Sequence, residues 1–456
     1  MESTSSLEND LAPFLAEYPE IEVLEAFIVD VNGVTRGKWI PHDRADEILT
    51  KGLALPRSVL ALDIWGRDVE EAGLAEGTGD PDGICMPVPG TLAPVPWLER
   101  PTAQVMLTMM ETPDKPFFAD PRSMLAGVLG RFAESGLTPV VAAELEFYLI
   151  DPHRSATDPV RPPNSRSGRW QGWQTQVLSI AELHEFENLL SDISRTCKVQ
   201  GIPADAVLRE NGPGQYEINL KHVSDAMKAA DHAVMLKRVV KGVAHRHGLD
   251  ATFMAKPYGD RAGSGMHVHF SLLDHRGHNV FSSDDGRGSD VMRYAVGGLV
   301  STMGEGMAIF APHANSYRRL THSEHAPLYA SWGYDNRNAA VRLITASEHA
   351  TRIEHRVSGA DANPYLAIAT MLAGAHYGIA NQLEPGSQMI ADDDEEFERL
   401  SVNWDDGIEL FSQSKFIADY LGTAYQKLYA ACKSQELSEF RLRVTDVEYD
   451  AYLRNV

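Results

Sequence analysis

The chain is poor in cysteine: its three, Cys85, Cys197 and Cys432, lie far apart in 456 residues and never form a Cys-x-x-Cys pair. Neither a disulfide framework nor a thiolate metal site is offered, which fits ordinary buried thiols in a reducing compartment. No stretch approaches the roughly 20 apolar residues that a membrane span needs. The acidic start carries no basic segment leading into an apolar run, so no membrane contact and a cytoplasmic location are expected. Positive charge is also in deficit, with 41 Lys and Arg against 64 Asp and Glu and a formal charge of −23. A nucleic-acid partner requires a basic face and is not expected; the acidic excess reads as a solvated surface. There is no internal repeat, no low-complexity tract, no Gly-x4-Gly-Lys-Ser/Thr loop and no kinase signature, so no P-loop holds a nucleotide. What the chain does have is 43% hydrophobic residues, enough for a sizeable core in two or three domains.

Periodicity supplies the elements. Residues 1 to about 20 read as a short helix with Leu7, Leu11, Phe14 and Leu15 on one side. Two β-rich runs, 22–30 and 34–40, flank Asn32-Gly33 and predict a hairpin. A short helix from Arg44 to Leu49, the run Ser58 to Asp63, a loop-like segment 72–100 with a strand at Ile84 to Val88, and a strand from Val105 to Met110 complete a mixed first region ending near 115. Pro121 sits where helices begin, and helical spacing runs from Arg122 to Gly136. Strands are expected at Val140–Ile150, Gln215–Leu220 and Thr252–Lys256, helices at Ile180–Gly201, Ala226–His247, about 290–309, about 363–382 and beyond 408. The polar segment 151–175 reads as a long exposed loop near a site.

Four alternating stretches place chemistry on one face. In Gly263-Ser-Gly-Met-His267-Val-His269-Phe-Ser271, the apolar Met266, Val268 and Phe270 oppose His267, His269 and Ser271. Such a pair of histidines suits either a polar cleft or a metal or phosphate contact. Glu144 and Glu146 share a face about 7 Å apart and repel unless a cation lies between them. Glu217 shares a face with Gln215 and Asn219, and the Gly-Pro-Gly turn after Glu210 can bring that acid back beside it. Glu354 alternates with Arg352 and Arg356. Five acids in one cleft would cost several kcal/mol without neutralisation. Oxygen ligands with one imidazole suit Mg²⁺ or Mn²⁺. Arg319, Arg337, Arg342, Arg352 and Arg356 add oxyanion grips, so the set reads as a phosphoryl-transfer site.

In order along nearly the whole chain, Glu144-Leu-Glu146, Glu210 with Pro213-Gly-Gln-Tyr-Glu217, Lys256-Pro257, Gly263-Ser-Gly-Met-His267-Val-His269, Asn315-Ser-Tyr-Arg-Arg319, Asn336-Arg337, Arg342, Arg352-Ile-Glu354-His-Arg356 and Ala362-Asn-Pro-Tyr365 resemble the glutamine synthetase family. The resemblance implies an α+β fold: an N-terminal helix (1–20), a small β-grasp domain (21–115) and a larger catalytic αβ domain (116–456) with an antiparallel half-barrel active site. It implies ATP and two or three Mg²⁺ or Mn²⁺ ions per site. Glu146, Glu210 and Glu217 match the ligands of one metal, and Glu144, His267 and Glu354 those of a second. Arg319 and Arg356 match the grip on glutamate with Gly263 beside it; His269, Ser271, Arg337, Arg342 and Arg352 match ATP and phosphate contacts. A homo-oligomer, usually a dodecamer of two hexameric rings with sites between subunits, is also implied.

Two positions depart from ammonium-using members. The flap glutamate before Ala-Pro is His325, in Ser323-Glu-His325-Ala-Pro327, and the asparagine before Gly-Ser-Gly is Ala262. Both changes remove polar groups from the ammonium end, and point to a larger nucleophile. Asp30-Val-Asn-Gly-Val-Thr-Arg-Gly-Lys38, Ala61-Leu-Asp63-Ile, Val69-Glu-Glu-Ala-Gly73, Ala251-Thr-Phe-Met-Ala-Lys-Pro257 and Ser358-Gly-Ala-Asp-Ala-Asn-Pro364 are most similar to the γ-glutamylpolyamine (γ-glutamylputrescine) branch. The expected substrates are L-glutamate, ATP and a primary amine such as putrescine or a monoamine, joined through γ-glutamyl phosphate; ordinary glutamine synthesis from ammonium is the alternative. A protonated amine needs a base before it attacks. Asp63 aligns with the family's activating aspartate, reaching in from a neighbouring subunit, and His325 either assists or shapes the flap.

Overall fold

Asp30 closes the predicted hairpin: its carboxylate accepts from the backbone N–H of Asn32 and Val34, each at 2.9 Å, and Gly33 takes the left-handed φ of +76° that the turn requires. The structure, a computed structural model, describes residues 12–75, 79–155, 158–164, 173, 175–321, 326–390 and 396–456. The first sheet contains β1 (Val23–Val29), β2 (Thr35–Pro41), β3 (Leu53–Pro56), β4 (Asp82–Pro87), β5 (Ala93–Pro94), β6 (Thr102–Thr112) and β7 (Lys115–Pro116). Its order is β2-β1-β6-β4-β3, with β1 parallel to β6 and the short β5 and β7 paired to β6. The central β6 is buried along most of its length, as its apolar run Val105–Met109 dictates.

The second sheet carries the alternating stretches. Its strands are β8 (Thr138–Ile150), β9 (Ala204–Arg209), β10 (Gln215–Leu220), β11 (Asp250–Thr252), β12 (Met266–Leu273), β13 (Trp332–Tyr334), β14 (Val341–Ile344) and β15 (Arg352–His355). The order is β13-β14-β15-β12-β8-β10-β9, with β11 on β8, and every pairing except β13–β14 is antiparallel. Leu145, Phe147, Met266, Val268, Phe270 and Ile353 fill the side that faces helices Pro121–Glu134, Ala226–Arg246 and Pro364–Asn381. The last of these is apolar on all sides and crosses helix Asp290–Thr302 so closely that a Cβ on Gly298 would lie 2.1 Å from the Gly374 carbonyl.

Several elements differ from the sequence reading. The N-terminal helix covers 12–17 of the described residues, so Phe14 and Leu15 lie in it while Leu7 and Leu11 fall outside the described residues. The helix expected over 180–201 is two, Ile180–Glu185 and Glu187–Val199, jointed at Phe186. That expected over 290–309 breaks after Thr302, where Gly304 and Gly306 intervene before Met307–Phe310. The strand expected at Thr252–Lys256 ends at Thr252, and Arg57–Ala61 is a 3₁₀ turn. Strands β9, β13 and β14 were not expected, being short and edge-ward or without clear alternation.

Candidate active site

Register brings the predicted residues together. His267 on β12 lies opposite Glu144 on β8, Glu217 on β10 opposite Glu146, and Glu354 on β15 between His269 and Arg342. Because side chains alternate, these all stand on the face opposite the core. They line one cleft of about 660 Å³ with Glu210, Gly263, Arg319, Arg337, Arg352 and Arg356. The Gly-Pro-Gly turn returns Glu210 opposite Gln215, two residues short of the expected Glu217 and on the same face: Tyr216 pairs with Arg209 and the Glu210 N–H donates to the Gln215 carbonyl.

The acids are too crowded for each to keep its charge alone. Burial raises Glu217, and Glu144, Glu146 and Glu210 add repulsion, bringing it to about 9 against one helpful bond from Asn219. Glu146 is raised to about 7 by burial and Glu210, although the Gly265 N–H, Arg319 and Arg356 oppose this. Burial also disfavours ionised Glu144 and Glu354, but the two imidazoles for the first and Arg356 with the imidazoles for the second outweigh it and leave both low. His267 is lowered to about 4 by burial and by Arg356, so it is neutral near pH 7 with a lone pair to give.

The spacing fits cations. His267 Nδ1 stands 3.7 Å from Glu144 and 3.9 Å from Glu354, and its Nε2 3.9 Å from Glu146, distances too long for hydrogen bonds. Ligand atoms of Glu144, Glu217 and His267 all fall within 4.8 Å of one another, and so do those of Glu144, His269 and Glu354. The first group joins Glu217 to Glu144 and His267, whereas the sequence grouped it with Glu146 and Glu210. His269 has a second character: its Nδ1 accepts from Arg352 Nε at 3.2 Å, placing the ring proton on Nε2, which lies 3.1 Å from Glu144 but off the hydrogen-bond direction.

The arginines differ in what holds them. Arg319, at the end of helix Ala314–Arg319, donates to the Val357 and Arg356 carbonyls at 2.8 and 3.2 Å. Gly263 and Gly265 leave room for it, since a Cβ on either would come within 2.8 Å of its side chain. Arg356 and Arg342 both grip Glu354, and Arg337 stands exposed at the rim. Ser271 is buried farther along β12, opposite Val140 and outside the cleft lining.

Sequence reasoning missed the groups that fix the acids. Gln215 Nε2 bridges Glu146 (3.1 Å) and the Gly263 carbonyl (2.9 Å). Buried Arg209 pairs with Glu182 and donates to the Gly212 and Gln215 carbonyls at 2.6 Å, holding the turn that presents Glu210. Gln215 shared a face with Glu217 in the alternation, so a signal existed; for Arg209 there was none.

Two further expected residues are not part of the cleft lining described above. His325 lies outside the described residues. Asp63, expected to serve a neighbouring subunit's site, lies outside its own chain's cleft and is fully buried: one carboxylate oxygen accepts from the Trp65 and Arg67 N–H, the other from Arg67 Nε and Gln435 Nε2, at 2.9–3.0 Å. Burial opposes its ionisation, but those donors prevail and lower it. As placed, Asp63 shapes the loop 63–67.

Residues 118–452 match the description "Glutamine synthetase, catalytic domain". The chain is 39% identical over 453 residues to gamma-glutamylputrescine synthetase PuuA of Escherichia coli (strain K12), covering 99% of this chain and 96% of that one. It is 32% identical to glutamate--isopropylamine ligase of a Pseudomonas species, over 96% of each. A solved structure described as a GmaS/ADP complex superposes with a TM-score of 0.83 at 28% identity, covering 97% of this chain and 99% of that one. Enzymes of this family use ATP and divalent metal ions. With its mixed α/β fold, its matched catalytic region and its relatives across nearly its full length, this chain belongs to the glutamine synthetase family.

Proposed function

We propose that the protein is an ATP-dependent carbon–nitrogen ligase that joins the γ-carboxylate of L-glutamate to a primary amine, through γ-glutamyl phosphate. The observation that carries it is the single face on which six would-be metal ligands and five arginines meet. Glu146, Glu210 and Glu217 would hold one divalent ion, and Glu144, His267 and Glu354 another, with Glu217 close enough to Glu144 and His267 to stand between the two; Mg²⁺ or Mn²⁺ is favoured by the oxygen-rich set. Once bound, such ions neutralise phosphate charge during transfer.

The chain's own groups do the rest. Arg319 and Arg356, with the Gly263 backbone, grip the carboxylates of glutamate. Arg337, Arg342, Arg352 and the Nε2 proton of His269 face the phosphates, and the γ-carboxylate oxygen attacks the terminal phosphorus as ADP leaves. The amine nitrogen then attacks the acyl carbon, and phosphate departs. Its extra proton must go to a base first. Asp63 can take it only if loop 63–67 frees the carboxylate from Arg67 and Gln435. Ala262, Leu178 and Leu208 add apolar lining that suits an alkylamine better than ammonium.

The domain reading, a β-grasp unit over 21–115 and a half-barrel catalytic unit over 116–456, is kept as part of the proposal and is supported by the two separate sheets. So is the homo-oligomer, a dodecamer with shared sites: Leu442, Val447, Leu453 and Val456 are each 70% or more exposed in the lone chain. Cytoplasmic location is likewise proposed; no helix among the described residues is long and apolar enough to cross a membrane. Phosphate release with ATP, glutamate and a panel of putrescine, monoamines and ammonium tests the reading. Preference for a primary amine is the expected result, and ammonium turned over best at millimolar levels would overturn it.

A further inference from the structure

Away from the catalytic cleft, a cavity of about 300 Å³ lies between the β1–β2 hairpin, helix Ala226–Arg246 and the stretch after β11. In a chain of net charge −23, its wall is rich in cationic residues: Lys237 and Arg238 stand side by side, one turn before Lys241 on the same helix. Arg238 is matched by Glu25 at 2.6 Å. The two lysines are not matched. Among the described residues neither has a carboxylate within 4 Å; Lys237 Nζ donates to the Ala362 carbonyl at 2.8 Å. Both ammonium groups flank the ring of Phe253, at 5.7 and 5.8 Å. Burial pulls Lys237 down to about 7, with the neighbouring Lys241 ammonium adding repulsion, while Lys241 itself opens to solvent. The other ionisable groups on the wall are Asp361 and His313. Asp361 offsets Lys237 in part; one of its carboxylate oxygens accepts from Ser316 at 2.6 Å and the other is buried without a hydrogen-bond partner.

We propose that this cavity is a second, non-catalytic ligand site that takes one small oxyanion, a carboxylate or phosphate group, between Lys237 and Lys241. The group comes either from a free small molecule or from an acidic side chain of a second copy of this chain. Its occupancy is tied to the catalytic cleft by one short path. Asp361 holds Ser316, which caps helix Ala314–Arg319, and Arg319 at the other end of that helix lines the cleft. An anion that neutralised Lys237 would remove charge that offsets Asp361, and so bear on the helix that ends at Arg319.

The test uses the assembled wild-type protein and Lys241→Gln, with Lys237→Met as the second variant; Lys241 is at the surface, so its loss should leave folding intact. Inorganic phosphate is titrated calorimetrically into each, and assembly is followed by sedimentation. A free-anion site gives wild type one more phosphate equivalent than Lys241→Gln, or at least tenfold tighter binding, with assembly unchanged. A site filled by a neighbouring copy gives no lysine-dependent phosphate heat but a weakened assembly in Lys241→Gln. Identical titrations and identical assembly in wild type and both variants would overturn the proposal.

Discussion

Two buried charge clusters in this protein are built on opposite terms. At the junction between the first sheet's loops and helix Thr423–Arg441, Glu436 is wholly enclosed and fully served: Asn32 Nδ2 at 2.8 Å, the Ile64 N–H at 2.9 Å and Lys433 Nζ at 3.0 Å all donate to it. Burial opposes its ionisation, yet Lys433 and His313 outweigh that and hold it at about 2. In the cleft, Glu146 and Glu217 are pushed the other way, because acids face acids. A cluster that closes on itself positions loops; a cluster left in mutual repulsion is complete only with a ligand. The contrast separates scaffold from site without reference to any relative.

Breaking the closed cluster should cost most. Glu436→Ala leaves a buried ammonium, and about 3–5 kcal/mol of stability should go, read by denaturant unfolding. The double variant Lys433→Met/Glu436→Leu should lose less than either single change; equal or larger loss would erase the distinction drawn here. In the open cluster the signs reverse. Glu217→Gln should cut ligase turnover at least ~100-fold, about 2.7 kcal/mol of barrier, while the metal-free chain melts no earlier than wild type. An earlier melt would mean that the acid is structural. Adding Mg²⁺ at about 100 times its dissociation constant should stabilise wild type by up to ~2.7 kcal/mol and Glu217→Gln by far less, measured by thermal shift with a chelator control.

Acid sharpens the same comparison more gently. Glu436 ionises at about 2 in the fold against an ordinary 4.5, so its contribution is whole above 4.5 and fades as pH falls towards 2. His355, lowered to about 3 by burial and His267, stays neutral where the unfolded chain would bind a proton, so it too costs stability as pH drops from 6.5. Glu146 and Glu217, raised in the fold, gain stability as pH falls over the same range, so the check is a difference: the melting-temperature gap between wild type and Glu436→Gln should narrow from pH 5 to 3, and an unchanging gap would contradict the reading. Smallest of all, Ala262→Asn should shift kcat/KM towards ammonium over putrescine by less than about tenfold, since one polar group in the lining changes discrimination modestly.

Much of the cleft was legible because strands write their faces in alternation. Glu144, Glu146, Glu217, His267 and Glu354 could each be placed on a polar face from period two, and the hairpin followed from Asn32-Gly33. Which strand neighbours which was not legible, and it decides that Glu217 meets Glu144 and His267. The Glu436 cluster was invisible: Asn32 and Glu436 lie 404 positions apart, and a polar residue inside a helix carries no mark of the partner it will find. Asp63 shows the limit from the other side, since a motif located it while only its donors reveal what it holds.

β8 carries both ledgers on thirteen residues, with Leu145 and Phe147 fully buried in the core and Glu144 and Glu146 between them in the cleft. Inserting or deleting a single residue there would send the acids into the core and the apolar side chains into the cleft. Descendants of this sequence can therefore change amines by substitution, or by remodelling the loops that end the strands. Insertions and deletions within β8 itself are closed to them.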